Sequence, residues 1–208
     1  MNIGILGSGN VGGTLGRRWS AAGHRVIFSS RNPQSEEMQK LAAEAGATSA
    51  TTAAAVQASD VLLLSTPWPA TQDVVKGCGN LSGKVLIDAT NPLLPDLSGL
   101  SIGTTTSAGE QVAAWAPGAR VVKAFNTVGF NVMQDPKFSG GPAVLFYCGD
   151  DAAAKATVHQ LASELGFDAR DSGPLSQARV LEPFALLWIS LAVKYGYGRD
   201  FAFQLMRR

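Results

Sequence analysis

From Met1 to Arg31 the chain reads as a short apolar run, a glycine-rich hexapeptide, a helix and a second apolar run. No other segment narrows the possible folds so far. Asn2–Leu6 has the make-up of a strand, Gly7-Ser8-Gly9-Asn10-Val11-Gly12 follows at once, the pattern through Ala22 is helical, and His24–Phe28 is the next strand. A GxGxxG loop caught between strand and helix in a unit of about 30 residues is a dinucleotide-binding signal, whereas the same letters in isolation are weak. The spacing assigns each glycine a task. Gly7 permits the tight turn, Gly9 lets backbone approach a pyrophosphate, and Gly12 lets the helix lie close on the strand. Ser8, Asn10 and Val11 open the helix, whose free N–H groups favour anions.

The end of the second strand selects the nucleotide. An NAD site carries an acidic residue about 20 residues past the loop, bonded to the ribose 2′-hydroxyl. Here the positions hold Ser29, Ser30, Arg31 and Asn32, with no carboxylate before Glu36. Hydroxyl and guanidinium groups suit a 2′-phosphate, which accepts charge-assisted bonds. The reading is therefore NADP(H).

Strand and helix patterns alternate through most of the chain, which predicts a Rossmann-type, doubly wound α/β fold with a mainly parallel sheet. Residues 1–172 form the NADP-binding part and 173–208 a helical tail, with helices over Leu175–Tyr195 and Asp200–Arg207 and an excursion over Asn131–Gly141. Loops at the carboxyl ends of parallel strands line the ligand crevice. Thr66-Pro67-Trp68, Asn91, Ala124 and Asn126 fall at such ends and join the loop residues as cofactor-binding candidates. Pro67 and Trp68 can pack on the dinucleotide near its ribose or nicotinamide. Asn91 and Asn126 can bond a carboxamide or an acceptor ring.

A net charge of +1 gives no reason to expect nucleic acid or an anionic membrane as partner. Cys78 and Cys148 have neither disulfide nor metal spacing. The apolar stretch Phe184–Val193 is too short to span a bilayer, and the first strand leaves no room for a signal peptide, so a cytoplasmic protein is expected.

Carbonyl reduction needs a general acid near the hydride site. There is no Tyr-x-x-x-Lys pair, His24 and His159 read as structural, Lys123 as a solvent or core-edge lysine with a side chain pointing into the site as the alternative, and Glu182 as a helix cap or a partner of Arg179. No catalytic acid or base is assigned. Hydride exchange between nicotinamide and a flavin-like ring asks less of the protein, which holds two rings face to face. Reduction of a small imine, carbonyl or quinone is the alternative, and a non-enzymatic NADP(H) sensor a third.

Gly7–Gly12, Ser30-Arg31-Asn32-Pro33, Asp88–Pro92, Cys148–Asp151 and Gly173-Pro174-Leu175-Ser176 together resemble the deazaflavin-dependent NADP reductases. That resemblance implies hydride exchange between NADP(H) and an 8-hydroxy-5-deazaflavin, and a dimer. Ser30 and Arg31 would then hold the 2′-phosphate, with Ser8, Asn10 and Val11 along the pyrophosphate and ribose. Lys123–Thr127 is similar instead to the cytosolic NADPH domain of six-transmembrane ferric reductases, in which the hydride acceptor is a flavin.

The tail carries a last expectation. Phe184–Ile189 is apolar on every side of a helix, and such a helix is buried all round in a soluble protein. A homodimer packed through Leu181–Val193, closing the acceptor site, would provide the cover.

Overall fold

The computed structural model describes all 208 residues. In chain order the elements are β1 (Asn2–Leu6), α1 (Asn10–Ala21), β2 (Arg25–Ser29), α2 (Glu36–Glu44), β3 (Thr48–Ala50), α3 (Thr52–Gln57), β4 (Val61–Leu64), α4 (Trp68–Gly77), β5 (Val85–Asp88), α5 (Ala108–Trp115) and β6 (Arg120–Lys123). Then come α6 (Phe130–Gln134), β7 (Lys137–Phe138), β8 (Gly141–Pro142), β9 (Val144–Gly149), α7 (Ala152–Glu164), β10 (Asp168–Asp171) and α8 (Ala178–Val193). Eight strands form one sheet in the order β10-β9-β6-β5-β4-β1-β2-β3. From β3 to β6 all neighbours are parallel, the Rossmann arrangement expected from sequence. β9 pairs with β6 antiparallel and β10 follows β9 in parallel, so the sheet is mainly rather than wholly parallel.

The central strands β1, β4, β5, β6 and β9 are largely buried on both faces, and their side chains feed two cores on opposite sides of the sheet. The larger holds 30 buried residues, with Leu15 and Trp19 of α1, Met38 and Ala42 of α2, and Val158 and Leu161 of α7. The smaller holds 12, with Val75 of α4 and Val112 of α5. The winding reverses between β1 and β4, and the crevice at that reversal is where such sheets bind ligands.

The end of the chain differs from expectation. The helix over Leu175–Tyr195 is a 3₁₀ turn at Leu175–Gln177 followed by α8, and Asp200–Arg207 is not helical. Gly196 and Gly198 take φ of 75° and 71°, which breaks the helix, and the chain returns in extended form. The Phe203 carbonyl accepts a bond from Val144 N, and Trp188 Nε1 donates to the Phe201 carbonyl. Phe201 stacks on Trp188 and Phe203 packs on Phe184. Phe201 and Phe203 alternate with Ala202 at a strand's period of two, and packing these two half-buried aromatics on α8 outweighs weak helical propensity. The Asn131–Gly141 excursion resolves into most of α6 and the short β7/β8 pair.

Candidate functional site

Two cavities adjoin along the carboxyl edge of the sheet. The first, about 610 Å³, lies between the β2 end (Ser29, Ser30, Arg31) and α4 (Ala70, Asp73, Val74, Gly77), with Thr52 beside them. The second, about 680 Å³, is lined by Gly7–Val11, Ser65–Pro69, Ala89–Asn91 and the loop residues Leu93, Leu94, Pro95 and Leu97. Gly7, Ser8 and Thr66 border both, so the two form one groove crossing the glycine loop.

The loop's geometry follows from its glycines. Gly7 sits at φ 105°, and a Cβ there would lie 2.8 Å from the Ser65 carbonyl oxygen. At Gly12 a Cβ would lie 1.9 Å from the Gly7 carbonyl oxygen, so this glycine lets α1 close onto the loop and does not line either cavity. Gly9 differs: a Cβ would meet nothing within 4 Å. The backbone there faces open groove at the N-terminus of α1, the free space an approaching pyrophosphate requires. Ser65 Oγ donates to the Gly7 carbonyl at 2.8 Å and fixes the loop to β4.

Ser30 Oγ accepts from Asn32 N at 3.1 Å, and Arg31 is exposed at the rim of the first cavity. Asn32 shapes this turn but does not line the groove. Across the second cavity Trp68 stacks on Trp115 with centroids 5.4 Å apart, which holds the Pro67-Trp68 corner in place. Asn91 Nδ2 donates to the Asn126 carbonyl at 2.9 Å, and Asn126 Nδ2 donates to Asn91 Oδ1 and to the Leu181 carbonyl, each at 3.2 Å. Of the two asparagines only Asn91 lines the cavity. Asn126 is buried behind it, as is Ala124, so neither reaches the groove in the way the sequence suggested. Phe125, between them, is a buried non-glycine residue at φ 63°. Its ring is held edge-on between Trp19 and Phe167, and this packing enforces the sharp turn that brings Asn126 to Asn91.

Beneath the second cavity is a buried ionic cluster. Lys123 Nζ donates to Asp88 Oδ2 at 2.9 Å and to the Thr90 carbonyl at 2.7 Å, and lies 2.9 Å from Glu182 Oε1. Lysine and both carboxylates are at most 1% exposed. Asp88 Oδ1 accepts from Thr90 N at 2.9 Å and Thr90 Oγ1 at 2.7 Å. Glu182 accepts from Ala108 N and Gly109 N at the start of α5. Every ammonium proton therefore has an acceptor. Burial opposes the charge on Lys123, but the two carboxylates and their hydrogen bonds outweigh it and hold its pKa above the ordinary lysine value. Burial pushes the neighbouring Cys148 thiol up to about 12, so it stays protonated.

Two sequence expectations are thereby corrected. Lys123 is not a solvent or core-edge lysine, because partners from β5 and α8 converge on it. Glu182 caps α5 rather than its own helix, and Arg179 pairs instead with Glu110 at 2.6 Å. The signal was a lone lysine in an apolar strand, which needs a counter-charge if buried. His24 bonds Glu164 and His159 bonds Tyr147, both away from the groove. No titrating side chain lines the second cavity, and no cluster of His, Cys, Asp or Glu is placed to hold a metal.

The family described as NADP oxidoreductase, coenzyme F420-dependent, matches residues 2–92. An F420-dependent NADP reductase of Methanocaldococcus jannaschii is 30% identical over 210 residues, covering 94% of both chains. Metalloreductase STEAP3 of Rattus norvegicus is 31% identical over 186 residues, which are 88% of this chain, but the match spans only 36% of that protein. A crystal structure from Arthrobacter sp. FB24, described as a candidate F420-dependent NADP reductase, superposes with a TM-score of 0.90 at 32% identity over 100% of each chain. With a glycine-loop groove of this shape and full-length relatives at this identity, the chain belongs to the F420-dependent NADP reductase family of oxidoreductases.

Proposed function

We propose that this protein transfers hydride between NADP(H) and a flat deazaflavin or flavin ring, with residues 1–172 holding the nucleotide and 173–208 closing the acceptor side. The carrying observation is the lining of the second cavity: glycine backbone, small polar groups, Pro67-Trp68 and a leucine wall, with no acidic or basic side chain among them. Such a lining suits ring-to-ring transfer and holds no titrating general acid for a carbonyl or imine product. NADP(H), when bound, supplies or accepts the hydride. Ser30 and Arg31 hold the 2′-phosphate, and Ser8, Gly9, Asn10 and Val11 receive the pyrophosphate and ribose at the start of α1. The nicotinamide end then crosses Thr66 into the second cavity. There Asn91, fixed by Asn126, bonds a ring edge, and the leucine wall excludes water from the facing rings.

The test is anaerobic NADPH oxidation with coenzyme F420, free flavins, a panel of cyclic imines and carbonyls, or no acceptor. Turnover with F420 or a flavin at least tenfold above the panel supports the reading. Turnover confined to the panel replaces it with the imine or carbonyl reductase reading, and binding without turnover with any acceptor indicates a sensor.

Nucleotide choice is tested at the β2 end. A hydrogen bond to a charged group contributes about 1.5–3 kcal/mol, less where exposed and screened. Arg31→Ala should weaken NADPH binding roughly 10- to 100-fold, with NADH hardly affected. Equal losses by titration calorimetry would remove Arg31 from the 2′-phosphate site.

The reading includes a cytoplasmic homodimer through α8. Its inner residues Leu181, Ala185 and Trp188 are buried by their own chain, whereas Val180, Leu187 and Val193 are 59%, 49% and 49% exposed. Val180 and Leu187 stand two turns apart on one face of α8, and apolar surface there supports the dimer reading. Trp188 belongs to the core, so Leu187→Asp is the informative variant. By light scattering the wild type should have a dimer's mass and Leu187→Asp a monomer's, and a wild-type monomer refutes the interface.

A further inference from the structure

We propose that the buried Asp88–Lys123–Glu182 cluster sets the balance between oxidised and reduced nucleotide, favouring NADP⁺ over NADPH. The inference rests on the reading above that the nicotinamide lies in the second cavity.

Asp88 accepts from Lys123 Nζ and from the amide and hydroxyl of Thr90, and Glu182 accepts from the Ala108 and Gly109 amides with Lys123 Nζ 2.9 Å away. Two carboxylates surrounded by donors thus share one ammonium and the cluster carries one net negative charge, with all three side chains at most 1% exposed. The N-terminus of α5, which donates two N–H bonds to Glu182, offsets about half a charge, so the site stays negative. The charge is coupled to the cavity by short bonds. Asp88 holds both the amide and the hydroxyl of Thr90, Lys123 holds the Thr90 carbonyl, and Thr90 and Asn91 line the cavity. No cationic side chain lines the cavity to cancel it.

The two nucleotide forms carry the same phosphates and differ at the ring. When hydride leaves, two electrons and one proton pass to the acceptor, and the neutral dihydronicotinamide becomes a cation. A fixed negative charge nearby therefore stabilises the oxidised ring and barely affects the reduced one. A unit charge at a separation on the order of 10 Å and an effective dielectric of about 20 changes such an equilibrium roughly tenfold. The cluster thus acts as a positioning and electrostatic element, not as a catalytic acid.

The test compares dissociation constants for NADP⁺, NADPH and 2′,5′-ADP, which lacks the nicotinamide. Glu182→Gln and Asp88→Asn each remove one negative charge with little change of shape. Each should raise the Kd ratio of NADP⁺ to NADPH about tenfold, leaving 2′,5′-ADP unchanged. Cys148→Ala, which disturbs packing beside the cluster without changing its charge, should leave the ratio at the wild-type value. An unchanged ratio in the charge variants, or an equal shift in Cys148→Ala, overturns the proposal. If neither charge variant folds, the wild type decides, since a clear preference for NADPH over NADP⁺ contradicts a negative site. Trp68→Ala separates the two levels of inference. If it weakens both dinucleotides but not 2′,5′-ADP, the nicotinamide is where the reading puts it, and a static ratio then defeats the charge proposal alone. If it affects none of the three ligands, the placement itself fails and the charge proposal with it.

Discussion

Gly9→Val should abolish measurable NADPH binding, a loss of at least about a hundredfold, or roughly 2.7 kcal/mol, while leaving the fold intact. Gly9 has φ −69° and ψ −162°, a backbone conformation that L residues adopt, so valine introduces no φ penalty. A Cβ would meet nothing within 4 Å, so the side chain fits the ligand-free protein. It would then occupy the groove where the pyrophosphate must approach the N-terminus of α1. Calorimetric titration with NADPH, beside circular dichroism and melting temperature, checks both halves. Normal affinity in a folded variant would show that this loop does not cradle the phosphates. Gly12→Val makes the contrast: with the Gly7 carbonyl oxygen 1.9 Å from its Cβ, it should lose the fold together with the binding.

The second large effect concerns stability. Lys123→Met fills much the same volume but leaves Asp88 and Glu182 buried without their cation. Breaking a buried ion pair in this way costs about 3–5 kcal/mol, and for a chain of this size the melting temperature should fall on the order of 10 °C. The wild-type contribution has a definite pH window. Because the pKa of Lys123 is raised on folding, the cluster's stabilisation is fully present below the unfolded lysine's pKa of about 10.4 and is lost only as pH rises through the higher folded value. Across the neutral range it should therefore be flat. Denaturant melts of wild type and variant at neutral pH measure the difference, and a gap below about 1 kcal/mol, the typical effect of an ordinary substitution, would mean that the cluster is not a structural keystone.

Much of the groove could be read from the chain because its parts are local. The glycine spacing, the absence of a carboxylate at Ser29–Asn32, and the polar corner Thr66-Pro67-Trp68 each sit within one βα unit, and strand ends in a parallel sheet converge on one edge. The partners of single charged residues are another matter. Lys123 stands 35 residues from Asp88, and Glu182 stands 74 residues from the α5 amide that it caps. Nothing in a strand's own pattern distinguishes a buried lysine with converging carboxylates from one at the core edge.

The same division holds for the tail. Periodicity identifies α8, but Phe201-Ala202-Phe203 is ambiguous in isolation, and it is extended because Val144 offers a free amide and because Trp188 and Phe184 offer aromatic faces. The Rossmann winding, the glycine loop and the carboxylate-free end of β2 are legible in the chain alone, since each depends on backbone conformation and residue type within a few consecutive positions. The packed molecule alone reveals that Asn126 stands behind Asn91, that Phe125 is bent to put it there, and that Asp88, Lys123 and Glu182 share one buried site. Burying charge is tolerable only where partners from separate elements meet, and that meeting is a property of the packed sheet and helices rather than of any one segment.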